Sequence, residues 1–182
     1  MKNSIRISIY SGIFISIIFL FQHIATAETA SLELGQDWVK TKNTWGIPDG
    51  MWKLKDNKEI YATAMSRDLI YPKANFDESH KKEALNEMTK GRNQALGLIG
   101  IDDWHITNSK FEVEKGQVMI TLQGAFHDTH ATTIEFKEVH IWKKTKYQSL
   151  TINYPKTSKF GESAKSTQAM NRFISSVSEG AK

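Results

Sequence analysis

Two imidazoles and a carboxylate stand close together in Ala125-Phe126-His127-Asp128-Thr129-His130. Zinc, copper and nickel accept nitrogen and oxygen ligands of this kind. His127, Asp128 and His130 therefore form the candidate metal site of the chain. The set is incomplete, because a structural zinc site takes four ligands. His105 or His140 would have to supply the remainder. The competing reading is a polar turn in which Asp128 and Thr129 are ordinary and the histidines face water. Beyond zinc or copper at this turn, no cofactor is implied.

Acid–base chemistry has a second candidate in Asp102-Asp103-Trp104-His105, where carboxylates precede an imidazole. Enclosed in a cleft, such groups can move a proton. A helix-to-strand junction explains them as well, with the aspartates ending structure and Trp104 packing. Glu112 and Glu114 are the third pair, since paired carboxylates hydrolyse glycosides. They alternate with Phe111 and Val113, which assigns them to a solvated outer face. No serine lies in a Gly-x-Ser-x-Gly setting. The chain has 0 cysteines, which removes thiol nucleophiles, disulfides and thiolate metal sites together. These absences favour a non-enzymatic protein, with a hydrolase of unknown substrate at His105 as an alternative. The 5 tryptophans (Trp38, Trp45, Trp52, Trp104, Trp142) would serve either a core or a binding face. Lys143, Lys144 and Lys146 would serve a hairpin's solubility or an anionic contact.

The elements that must position these residues follow from periodicity. A turn cluster at 46–50 precedes short strands near 51–55 and 59–65, split by Asp56-Asn57. Asp77, with Phe76 before it, can cap a helix over about 78–97. Ala84, Leu85, Met88, Ala95, Leu96 and Ile99 recur there at helical spacing. The period then becomes two. Strands are expected at 107–114, 118–126, 131–142 and 147–154, joined by short turns into an antiparallel meander. Within the third, Ile134 and Phe136 share one parity while Val139 and Ile141 share the other. A bulge near Lys137-Glu138 would account for this, as would cover on both faces. Ser163 can cap a last helix whose apolar stripe is Ala169, Met170, Phe173, Ile174 and Val177. The predicted class is α+β, two main helices packed on a twisted antiparallel meander sheet, an α/β sandwich.

The first 27 residues have the order of a secretory signal. Lys2 and Arg6 precede the apolar run 13–21, and Ala25-Thr26-Ala27 supplies the small-x-small site. The run is too broken by polar residues to serve as a membrane anchor, which needs ~20 apolar residues. Cleavage would leave about 155 of the 182 residues, enough for one domain. It would also lower the basic count from 24 to 22 against 20 acidic residues, a net charge of about +2. That near balance gives nucleic-acid binding no electrostatic support. The expected organisation is a signal peptide at 1–27, an N-terminal arm at 28–44 and one domain at 45–182. The expected location is periplasmic or secreted, without stable membrane insertion after cleavage.

This order of elements resembles the PsbP/DcrB-like superfamily. The matching pieces are 45–52 (Trp45-Gly46-Ile47-Pro48-Asp49-Gly50-Met51-Trp52), the helix 78–97, the meander 107–154 and the closing stretch from Phe160 through 169–177. The resemblance covers about 45–178 and rests on element order and hydrophobic spacing. It implies a binding or assembly module with no catalytic residues to carry over. The function expected is an exported accessory protein that contacts an unidentified protein partner in the cell envelope.

Overall fold

From Asp102 to Pro155 the chain is almost continuous strand, so side-chain alternation decides which residues meet which layer. The computed structural model describes residues 32–42, 50–68, 81–114, 117–143 and 145–179. The export pattern, Trp45, most of the 46–50 turn and the cap at Asp77 lie outside the described residues.

Among the described residues, seven strands make one antiparallel sheet. They are β1 (Trp38–Thr41), β2 (Gly50–Leu54), β3 (Tyr61–Asp68), β4 (Asp102–Glu114), β5 (Gln117–His127), β6 (Thr133–Lys143) and β7 (Lys146–Pro155). Their order across the sheet is β1-β2-β3-β7-β6-β5-β4. Helix α1 (Lys81–Gly97) follows β3, and α2 (Ala164–Glu179) closes the chain. The α+β class and the four-strand meander are as the periodicity predicts. The segment expected as an arm over 28–44 is different. β1 pairs with β2 from Trp38↔Leu54 to Thr41↔Met51, and Leu32, Leu34 and Trp38 are buried in the core. A strand of four residues at a sheet edge, with Val39 and Lys40 exposed, is too short to show a period.

The sheet carries a core on each face. On one side, Ala169, Met170, Phe173 and Val177 of α2 pack with Val139, Ile141, Leu150 and Ile152. Ser163 caps this helix as expected, its Oγ accepting from the Ser166 amide at 3.2 Å. Lys143 of β6 fastens it as well, donating to the Val177 carbonyl, and Lys137 donates to the Gly161 carbonyl in the turn that leads into it. On the other side, Met88, Leu85 and Leu96 of α1 cover Trp104, Val118, Ile120, Leu122, Phe126 and Phe136. The parity change in β6 is therefore two-sided cover. Its register with β5 and β7 runs through Lys137 and Glu138 without a shift.

Bulges occur in β4 instead, between Asp102 and His105 and between Ile106 and Asn108. Gly124 makes room for them. A Cβ there would lie 2.1 Å from the His105 carbonyl oxygen and 2.4 Å from the Phe136 ring. Gly124→Ala should accordingly cost about 3 kcal/mol through overpacking, measured as a fall in the urea midpoint. An unchanged midpoint would mean that β4 does not sit this close.

Candidate functional site

The most chemically capable cluster lies outside all three sequence motifs, in the middle of β6. Phe136, Glu138, His140 and Trp142 share the face under α1, so Glu138 and His140 occupy positions in an apolar series. They are 1% and 2% exposed. A charge in such a place must be neutralised by partners. His140 Nε2 donates to Glu138 Oε2 at 2.8 Å, and Arg92 of α1 reaches the same oxygen at 3.3 Å. Thr151, directly across on β7, adds a side-chain hydrogen bond. Burial pushes the Glu138 carboxyl upward, but Arg92, His140 and Thr151 together hold it down at about 2.

The chain of contacts continues. The other ring nitrogen of His140, Nδ1, is 2.8 Å from the Tyr147 hydroxyl, which also bonds to Ser149. Trp142 closes the side, its ring 5.9 Å from His140 and 5.2 Å from Tyr147. Carboxylate, imidazole and hydroxyl in sequence have the form of a nucleophile-activating relay. The electrostatics oppose that use. Burial raises the Tyr147 phenol to about 12, so it stays protonated, and the imidazole is sealed from water. The arrangement locks α1 onto the sheet.

Helix α1 brings two further polar anchors to the same face. Asn93 pairs with the Trp104 main chain like a ladder rung, donating to its carbonyl at 2.8 Å and accepting from its amide at 2.9 Å. Arg92 lies 5.5 Å over the Trp104 ring, which stacks on Phe136 at 4.9 Å. Trp38, Trp52 and Trp104 are all core residues.

The two sequence motifs come together at one end of the sheet. Asp103, in the left-handed region at φ 52° within the first β4 bulge, lies between two imidazoles. Its carboxylate oxygens are 3.6 Å from His105 Nδ1 and 3.5 Å from His127 Nδ1. His105 Nδ1 also donates to the Asp103 carbonyl at 2.7 Å. Asp128 turns away from this group. Its Oδ1 accepts the amides of His130 at 2.9 Å and Thr132 at 2.8 Å. The Thr132 amide, chiefly, holds that carboxyl below its usual range. Asp128 thus organises the β5–β6 turn through its own backbone. Among the described residues, no three His, Asp or Glu side chains are grouped to hold a metal ion. Glu112 is paired with Lys110 at 2.8 Å.

The same end exposes apolar surface. Leu98 and Ile99, in the turn after α1, are 83% and 58% exposed. Gly100 at φ +75° sets this turn against the β5–β6 tip, for a Cβ there would lie 3.3 Å from Thr129. Among the described residues, no helix is long and apolar enough to cross a membrane.

No protein-family model matches the chain, and no curated protein matches it significantly. Among solved structures it is similar to cyanobacterial PsbP (CyanoP) from Synechocystis sp. PCC 6803. The TM-score is 0.54 at 12% identity, over 73% of this chain and 77% of that one. It is also similar to LpqN of Mycobacterium tuberculosis, a protein involved in cell envelope biogenesis. There the TM-score is 0.48 at 9% identity, over 79% of this chain and 77% of that one. The first likeness establishes a PsbP-like fold, as the order of elements implied, and the fold alone.

The buried carboxylate has a pH signature. Glu138 is held at about 2 in the folded chain against an ordinary value of 4.5. Its stabilisation is complete above the ordinary value and is lost as pH falls toward the folded one. Glu138→Gln should cost about 3 kcal/mol at neutral pH, by leaving its buried partners without their anion. Urea midpoints followed into acid should fall less steeply in the variant than in the wild type. Parallel acid limbs would contradict the assignment.

Proposed function

We propose that this chain is an exported accessory protein that binds a protein partner in the cell envelope, in the periplasm or outside the cell. The observation that carries the reading is the end of the molecule formed by the α1–β4 turn and the β5–β6 tip. Leu98 and Ile99 are exposed in the turn that leads into β4, where Asp103 lies between His105 and His127. Apolar side chains rimmed by polar ones are the usual make-up of a protein-binding patch. The N-terminal order of basic, apolar and small residues supports export. A PsbP-like fold is compatible with this role, and fold alone does not choose among functions. The Glu138–His140–Tyr147 relay favours binding over turnover, because its groups are engaged with one another beneath α1.

A photo-crosslinking residue at Leu98, expressed in the native cell, tests the reading against the same residue at the exposed Lys82 of α1. The expected result is a discrete protein adduct from position 98 and none from position 82. Leu98→Ser/Ile99→Ser should abolish binding of that partner without lowering the melting temperature. Adducts that are the same at both positions would count against a defined surface. Turnover of a substrate that disappears in His105→Ala would replace binding with catalysis at this end.

A further inference from the structure

Among the described residues β4 is the last strand of the sheet on its side, so one row of its amides and carbonyls faces away from β5. Its two halves differ. The register with β5 shifts twice between Asp102 and Asn108, and bulges of this kind spoil an edge for further pairing. From Asn108 to Glu114 the register runs without a shift. Only this second stretch of β4 is a regular edge.

Two of its three charges, Lys110 and Glu112, are placed symmetrically about Phe111, and the third, Glu114, has Asn108 as its counterpart. Lys110 and Glu112 flank Phe111 and lie on the face away from α1, 2.8 Å apart. Phe111 packs on the α1 side of the sheet, and Val113 beside it is 53% exposed. A lysine on an edge ordinarily repels an incoming strand. A lysine and a glutamate placed equally about one residue instead make the edge complementary to itself. Set a second copy antiparallel about Phe111, and Lys110 of each chain faces the partner's Glu112. Phe111 then faces Phe111, and Val113 faces Ser109. Opposite charges and aromatic pairs directly across a ladder are stabilising.

The charges and the Phe111 pair together bias the register. Sliding by one residue sets Phe111 against Lys110 or Glu112 of the other copy. Sliding by two in one direction sets Lys110 against Lys110, and in the other it sets Glu112 against Glu112 on the axis, gives up the Phe111 pair and places Lys110 opposite Glu114. Like charges directly opposite are destabilising, and a register error of one reverses the faces.

We propose that this edge is a dimer interface, in which two copies pair antiparallel through residues 108–114 about a two-fold axis at Phe111. The sheet then continues across both copies, and the contact is closed and isologous.

Analytical ultracentrifugation of the full chain, purified as its host processes it, tests this with two charge reversals. Lys110→Glu alone sets acid against acid across the axis, and Glu112→Lys alone sets base against base. Each variant should weaken dimerisation roughly tenfold or more. Mixed in equal amounts, the two should dimerise again, because each then offers the other its opposite charge. The ion pair within a chain is broken in both variants and stays broken in the mixture. Recovery can therefore come only from contacts between chains. Circular dichroism of each variant alone should match the wild type, since an exposed pair of this kind contributes little to folding. A wild type that stays monomeric at every concentration overturns the proposal. So does a dimer indifferent to the reversals, or a mixture that fails to recover. A wild-type monomer whose edge instead captures a strand of another protein overturns it in favour of that partner.

Discussion

Glu138 is the residue around which the rest of the α1 face is arranged. An ionised carboxylate under a helix and between two strands can persist only if every neighbour is chosen to hold it. Arg92 comes from α1, His140 from the next position on the same face of β6, and Thr151 from the facing strand β7. The carboxylate therefore fixes the height and rotation of α1 over the sheet. It is a constraint of geometry more than a source of net stability, since a buried ion pair is rarely better than apolar packing. With Arg92 seated, Asn93 falls opposite the Trp104 main chain and Trp104 lies flat on Phe136. The bulge that contains Trp104 also sets Asp103 between His105 and His127.

The two faces of the sheet thus do different work. The α2 face is a conventional apolar core with a capped helix, closed by lysine stems reaching main-chain carbonyls. The α1 face combines an apolar half with a polar tie and delivers the exposed turn at Leu98 and Ile99 to one end of the molecule. Groups capable of proton transfer are locked in the tie, while groups able to meet a partner stand at the end. That separation underlies the proposal that the exposed end meets a partner.

Much of this was legible in sequence. Clean alternation in β5 and the stripe Ala169, Met170, Phe173, Val177 specified a sheet with a helix on it, because both patterns are long and bury one side. β1 was not legible, since four residues at an edge show no period. The Glu138–His140 pair was visible only as a disturbance. Its polar residues interrupt the apolar parity that Phe136 begins, and alternation alone does not distinguish a bulge from a buried ion pair. Its partner Arg92 lies 46 positions away, a pairing that no local pattern encodes. The His127 turn carries the residue types of metal ligands. Its aspartate is directed to backbone amides, and its true neighbour, Asp103, comes from the other sequence motif.

Helix α1 is held to the sheet through one buried charge. Equilibrium unfolding of Arg92→Met, Glu138→Leu and the double variant at neutral pH measures that directly. If the carboxylate organises the helix through Arg92, the double variant should lose less stability than the two single losses together, by at least about 1 kcal/mol. Strictly additive losses would show that Glu138 and Arg92 act independently, and the tie between α1 and the sheet would have to be sought elsewhere.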